Sequence, residues 1–215
     1  MTADISERRS PLGAFAERFA QASETPSRIR LREIPFLAQL TLRADAGSEA
    51  SGVASATLGL PLAVVPNTTR SRGDLSVLWM GPDEWLIVAE QDGKVDQPAL
   101  ERALEGHHAT VQDVSAQRTV IEVAGADARE LLLKGCALDL HPQTFAAGRC
   151  AQTNLARTQV ILLSRDREPV FWVFVRASFA EYLAEWLIDA AAEYRGAAPS
   201  DLSLLQQPAA VPASA

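Results

Sequence analysis

The sequence predicts an α+β fold: two small subdomains of antiparallel sheet, built from hairpin-then-helix units and packed against helices. Three observations carry this. Strand, tight turn, strand and helix occur in that order twice, over 75–104 and over 160–190. The helix that closes the second unit carries an apolar stripe of helical period. The strands of the second unit are apolar at nearly every position, which calls for cover on both faces or a face that meets a partner.

Each element follows in order. Residues 1–28 read as an N-terminal arm, polar apart from Pro11-Leu12-Gly13-Ala14-Phe15-Ala16 and Phe19, an apolar patch suited to docking onto something. The first α+β subdomain is expected over 29–110. Within it, 44–56 is small and polar and reads as loop. Leu75–Met80 is a strand and Trp85–Ala89 its return. Between them Gly81-Pro82-Asp83-Glu84 is a turn, because proline presets φ and aspartate tolerates the next position. Gln97–Leu104 is a short helix.

The second subdomain is expected over 111–195. Thr119–Val123 reads as a strand, and Asp127–Lys134 as a helix that Gly135 stops from the usual place of a left-handed cap. Val160–Leu163, the charged turn Arg165-Asp166-Arg167-Glu168 and Val170–Val175 form the second hairpin. In the last helix Ser178 and Glu181 have capping-box spacing. Phe179, Tyr182, Leu183, Trp186, Leu187 and Ala190 then recur along one stripe. Residues 196–215 are rich in Ala, Pro and Ser. They offer too little apolar surface to offset their ordering entropy and read as a flexible tail.

Composition narrows the function. The chain has 215 residues, 47% of them apolar and 22% charged, with net charge -7. An acidic balance argues against nucleic acid as partner, since phosphate binding needs a surplus of Lys and Arg. No apolar run approaches membrane-spanning length and the N-terminus lacks a signal-like segment, so a cytoplasmic protein with no membrane partner is expected. In that compartment the two cysteines are reduced thiols, and Asn67-Thr68-Thr69 is a polar loop, not a glycan acceptor.

The stretch KGCALDLHPQTFAAGRC, 134–150, holds Cys136, Asp139, His141 and Cys150. It invites a metal or thiol reading. Structural zinc sites take four N or S ligands in closely spaced pairs, and no such pair exists here, so no metal site is expected. Cys136 follows a helix end, whose dipole opposes a thiolate, and free cysteine is among the most buried residue types. A Gly-x-Gly-x-x-Gly loop is absent, so no cofactor-binding residue is assigned. The tryptophans at 79, 85, 172 and 186 read as core or interface anchors rather than a ligand cage.

Four motifs nevertheless occur in order: Met80-Gly81-Pro82-Asp83-Glu84-Trp85-Leu86, Asp113-Val114-Ser115-Ala116-Gln117-Arg118-Thr119, Lys134-Gly135-Cys136-Ala137-Leu138-Asp139-Leu140-His141-Pro142 and Cys150-Ala151-Gln152-Thr153. Together with the Ser10-Pro11-Leu12 start, and over roughly 10–195, they resemble the gamma subunit family of heterotetrameric sarcosine oxidase. That family is similar to a shortened aminomethyltransferase fold, in which an aspartate in the loop after a helix works on a folate-bound one-carbon unit. Asp139 sits in the comparable place. The resemblance makes it a folate-site base; its chemistry alone equally allows a loop residue accepting bonds from backbone amides. The glycine pair and acidic residues that follow in the aminomethyltransferases are missing from Asn154-Leu155-Ala156-Arg157-Thr158-Gln159, and no third domain closes a folate channel.

The resemblance therefore implies an accessory, non-catalytic chain in an assembly with alpha, beta and delta subunits. The assembly oxidises sarcosine to glycine with oxygen, releases hydrogen peroxide, and passes the one-carbon unit to tetrahydrofolate or releases it as formaldehyde. FAD, FMN, NAD and tetrahydrofolate are implied in partner subunits, with zinc a further candidate there, and none in this chain. Two other classes stay open: a free-standing folate-dependent aminomethyl transferase using Asp139, and a scaffold for another complex. Pro11, Phe15, Phe19, Trp79, Pro82 and Trp85 are the expected interface, because they put apolar side chains beside turns and termini.

Overall fold

The computed structural model describes residues 8–24, 28–90, 95–165 and 169–194. In chain order the elements are α1 (Ala16–Ala22), β1 (Arg30–Ile34), β2 (Ala38–Ala44), α2 (Glu49–Leu58), β3 (Thr69–Arg72), β4 (Leu75–Gly81), β5 (Glu84–Ala89), α3 (Gln97–Ala103) and β6 (Ala109–Asp113). There follow β7 (Arg118–Ala124), α4 (Ala128–Leu133), β8 (Cys150–Leu155), β9 (Thr158–Ser164), β10 (Val170–Arg176) and α5 (Ala180–Ala191). Both expected hairpins form. β4 and β5 pair around Pro82-Asp83, with Trp79 opposite Trp85. β9 and β10 pair from Phe171–Ser164 to Val175–Val160. The turn expected at 165–168 lies mostly outside the described residues.

The strands make two five-stranded antiparallel sheets, ordered β3-β4-β5-β2-β6 and β1-β7-β10-β9-β8. The sheets pack face to face over Leu78, Leu86 and Val88 on one side and Ile161, Trp172 and Phe174 on the other. α2 and α3 cover the outer face of the first sheet, burying Ala50, Ala54 and Leu100 against Leu42, Trp85 and Ile87. α1, α4 and α5 cover the outer face of the second, burying Phe19, Leu131 and Leu187 against Ile121, Phe171 and Val173. The apolar runs of β9 and β10 are thus explained by cover on both faces. Each fully buried Leu or Phe in these layers contributes about 1.5–3 kcal/mol relative to exposure.

Several expectations are corrected. The stretch 44–56 contains most of α2, because Ser48 caps it through the Ser51 N–H and Gly59 ends it at φ +60°. Its small buried residues, Ala50, Ser51 and Ala54, let it lie close to the sheet without the apolar periodicity that marks most helices. The subdomain limits at 29 and 110 do not match the sheets. β1 pairs with β7 in the second sheet, and β6 pairs with β2 in the first. Ser178 does not cap the last helix. The chain leaves β10 through a 3₁₀ turn, Ala177–Phe179, and no side chain bonds the helix N-terminus. The buried stripe is Ala180, Leu183, Ala184, Leu187, Ala190 and Ala191, which leaves Phe179 and Tyr182 exposed. Gly135 is not left-handed. It is glycine because a Cβ there would lie 2.7 Å from the Trp186 ring and 3.0 Å from the Ala156 nitrogen.

The sheets also meet at one corner. The segment leading into β3 reaches across to the start of β8, where the Thr69 backbone N–H donates to the Gly148 carbonyl at 2.8 Å and the Cys150 backbone N–H to that of Asn67 at 3.0 Å. Asn67 turns the chain there at φ 58°. Among the described residues no helix is long and apolar enough to cross a membrane. The tail expected at 196–215 lies outside the described residues.

Candidate functional site

The loop after α4 is built on Arg129. Its guanidinium lies 4.9 Å from the Phe171 ring centroid and donates to the carbonyls of Leu140 and, at 3.2 Å, Phe145. Leu140 and Phe145 are buried, so the loop is pinned at both ends and bows outward between them. Just before the first anchor, Asp139 accepts the His141 N–H at 2.9 Å. That backbone bond, and one from the Thr144 hydroxyl, hold the Asp139 carboxyl below the usual aspartate range. Its side chain is exposed. A general base gains from a pKa raised toward the working pH; the bonds on Asp139 act in the opposite direction. His141 is exposed too, with Nδ1 accepting the Gln143 N–H at 3.3 Å.

The cysteines lie on opposite faces of the second sheet. Cys136 is buried in the layer under α4 and α5, with Sγ 3.9 Å from Thr153 Oγ1. Cys150 is buried between the sheets, its thiol directed at the Thr68 carbonyl at 3.4 Å. Burial pushes the Cys150 thiol pKa up, away from thiolate chemistry. Cys136, Asp139, His141 and Cys150 therefore do not converge. Among the described residues no three His, Cys, Asp or Glu side chains gather to hold a metal.

The expected interface residues divide. Pro11 and Pro82 are exposed and Trp79 is half-buried. Phe15 and Phe19 face the chain's own core beside Leu31, so the arm docks onto its own second sheet. Trp85 is fully buried, and its indole N–H donates to the Ala63 carbonyl at 2.7 Å. These three are corrected from surface to interior. The alternation of β5 turns Trp85 inward, and a short helix turns Phe15 and Phe19 to one side. What the sequence reading missed is other exposed apolar surface: Val64 and Val65 before the corner, Phe179 at the start of α5 and Tyr182 on its outer side. The alanines at 180, 184 and 191 carried the signal, because small residues mark the face that lies closest to a sheet.

One end of the inter-sheet layer is charge-matched. Arg32 donates to Glu122 Oε1 at 2.7 Å and Oε2 at 3.0 Å, and the Trp172 indole N–H donates to Oε2 at 3.1 Å. Arg165 lies 3.9 Å from the Trp172 ring centroid and donates to Glu90 at 2.7 Å. Burial pushes the Glu122 carboxyl up, but the bonds from Arg32 and Trp172 outweigh it and leave it below the usual range.

Comparison with known proteins agrees with this architecture. Residues 43–193 match the sarcosine oxidase, gamma subunit family. The chain is 41% identical over 191 residues to the sarcosine oxidase subunit gamma of an Arthrobacter species, covering 88% of this chain and 92% of that one. It is 40% identical over 200 residues to that of Corynebacterium sp. strain U-96, covering 88% and 93%. Among solved structures, a chain of heterotetrameric sarcosine oxidase from Corynebacterium sp. U-96 in complex with pyrrole 2-carboxylate superposes with TM-score 0.83 at 35% identity, over 89% of this chain and 98% of that one. Glycine cleavage system aminomethyltransferase T from Bartonella henselae shares the fold, with TM-score 0.59 at 16% identity, over 86% of this chain and 52% of that one.

Proposed function

Because the chain belongs to the sarcosine oxidase gamma subunit family, we propose that it completes the oxidase assembly and contributes no reacting group of its own. Its place is that of an accessory subunit in a heterotetrameric oxidoreductase. Its partners in this reading are alpha, beta and delta subunits in the cytoplasm. FAD, FMN, NAD and tetrahydrofolate belong to those partners, and any zinc would be theirs also. The reaction they run takes sarcosine and oxygen to glycine and hydrogen peroxide. It delivers the one-carbon unit to tetrahydrofolate or as formaldehyde.

One observation carries the non-catalytic reading: the four groups that could do chemistry lie in three separate places, two of them buried and the third exposed with a depressed carboxyl pKa. Both of the described bonds to the Asp139 side chain shape its own loop. The aminomethyltransferase likeness is one of fold, and this chain spans about half of that protein.

The test is an Asp139→Asn chain assembled with its partners. Asparagine keeps the carbonyl that accepts the His141 N–H, so assembly and turnover should stay within about twofold of the parent. Loss of turnover with assembly intact would make Asp139 a catalytic residue. Tight, stoichiometric binding of tetrahydrofolate to the isolated chain in equilibrium dialysis would favour a folate-dependent transferase instead.

A further inference from the structure

The face of the second sheet that looks toward the first changes character along its length. In the middle, Val120, Phe174 and Ile161 stand in cross-strand register and are buried between the sheets. Two residues further along each strand the rung becomes Arg118, Arg176, Gln159 and Asn154. Arg118 pairs with Arg176 and Gln159 with Asn154, and Arg176 and Gln159 follow directly on the Val175–Val160 pair. These four side chains line one concave surface at the open end of the sandwich.

Like charges placed directly opposite each other in a sheet are unfavourable, and among the described residues no carboxylate closes on this pair. Among the described residues neither Arg118 nor Arg176 has a carboxylate within ion-pair distance. Arg118 donates to the amide oxygen of its neighbour Gln117. Glu84 acts on it only at longer range, while burial and the charge of Arg176 lower its pKa. Arg118 also borders a second groove that carries Arg8, Arg9 and Asp113, and Asp113 Oδ1 is already engaged by the N–H and hydroxyl of Ser115. At the other end of the same sheet face Arg32 and Arg165 each have a glutamate. The chain has 27 acidic residues against 20 Lys and Arg. Acids are in excess, yet among the described residues none pairs with the two apposed arginines.

We propose that the Arg118–Arg176 rung is a docking surface for an acidic segment of a neighbouring subunit, one aspartate or glutamate carboxylate bridging the two guanidinium groups. Arginine forks suit a planar carboxylate, and the amides of Gln159 and Asn154 add donors on the same rung. The proposal rests on the chain's membership of the heterotetramer and adds which edge meets a partner and by what chemistry.

The test uses the four subunits co-expressed with a tag on a subunit other than this one. Parent, Arg176→Gln and Arg118→Gln/Arg176→Gln complexes are diluted at low salt and at about 1 M salt, where the screening length falls to about 3 Å. The variants should release this chain at roughly tenfold higher complex concentration at low salt and lose most of the parent's salt dependence. Retention and salt slope equal to the parent would overturn the docking surface. So would weakening of the same size at both salt concentrations, because the loss would then not be one of charge. Arg176 is exposed, so the single variant folds, and its circular dichroism checks this. An Arg176→Lys complex treated with a zero-length carbodiimide should cross-link position 176 to an Asp or Glu of another subunit. A cross-link only within its own chain, or none, would count against the proposal. If the parent chain itself fails to co-purify, the assembly reading fails; if parent and variants assemble alike, only the docking surface does.

Discussion

Trp85 and Ala63, both fully buried, are joined by an indole N–H donating to the carbonyl at 2.7 Å. The bond ties the segment that leads to the sheet corner onto the outer core of the first sheet. A Trp85→Phe chain would leave the carbonyl unpaired and a void beside it. It should lose about 2–4 kcal/mol of unfolding free energy in urea titration. Unchanged stability with impaired assembly would instead make Trp85 a partner contact.

Gly135 is a packing residue. A Gly135→Ala methyl would press on the Trp186 ring and the Ala156 backbone. Overpacking of this kind costs about 1–3 kcal/mol. A second change, Trp186→Phe, removes the part of the ring that is touched and should recover part of the loss. A Gly135→Ala chain as stable as the parent would show that the α4–α5 contact has slack.

Glu122 makes stability depend on acid. Its folded pKa lies below its ordinary value of 4.5, so its contribution is present above that value and is lost as pH falls through the lowered folded one. The acid limb of unfolding should therefore be steeper in the parent than in Glu122→Gln. Parallel acid limbs in thermal melts between pH 6 and about pH 3 would refute the assignment.

Both thiols are buried, and the thiolate is the reactive form. A disulfide exchange reagent near pH 8 should therefore label neither within the time in which a free thiol is consumed, and both at once in denaturant. Fast labelling of Cys150 in the native chain would mean that the sheet corner opens.

What could be read in the sequence were elements whose signal is local. The β4–β5 and β9–β10 hairpins announced themselves through a proline turn and two apolar runs. α2 did not, since Ala50, Ser51 and Ala54 bury a helix face without apolar period. The exchange of β1 and β6 between sheets was invisible for a different reason. Pairing of Arg30–Ile34 with Val120–Ala124 is decided by a surface assembled about 90 residues away, not by the residues of β1 themselves. Around Asp139 the helix and the loop were legible, but the Arg129 anchor that shapes the loop was not. Its partners are carbonyls, and any residue can supply a carbonyl.

The order of synthesis gives the docking of α1 a further consequence. Leu12, Phe15 and Phe19 leave the ribosome well before Phe171, Val173 and Leu187, which form part of the wall they pack against. At 5–20 residues per second this interval is on the order of ten seconds. For that time the apolar helix has only part of its seat, Ile29 and Leu31. Until then Phe15 and Phe19 are exposed apolar side chains, the kind of surface that makes a partly made chain prone to aggregate.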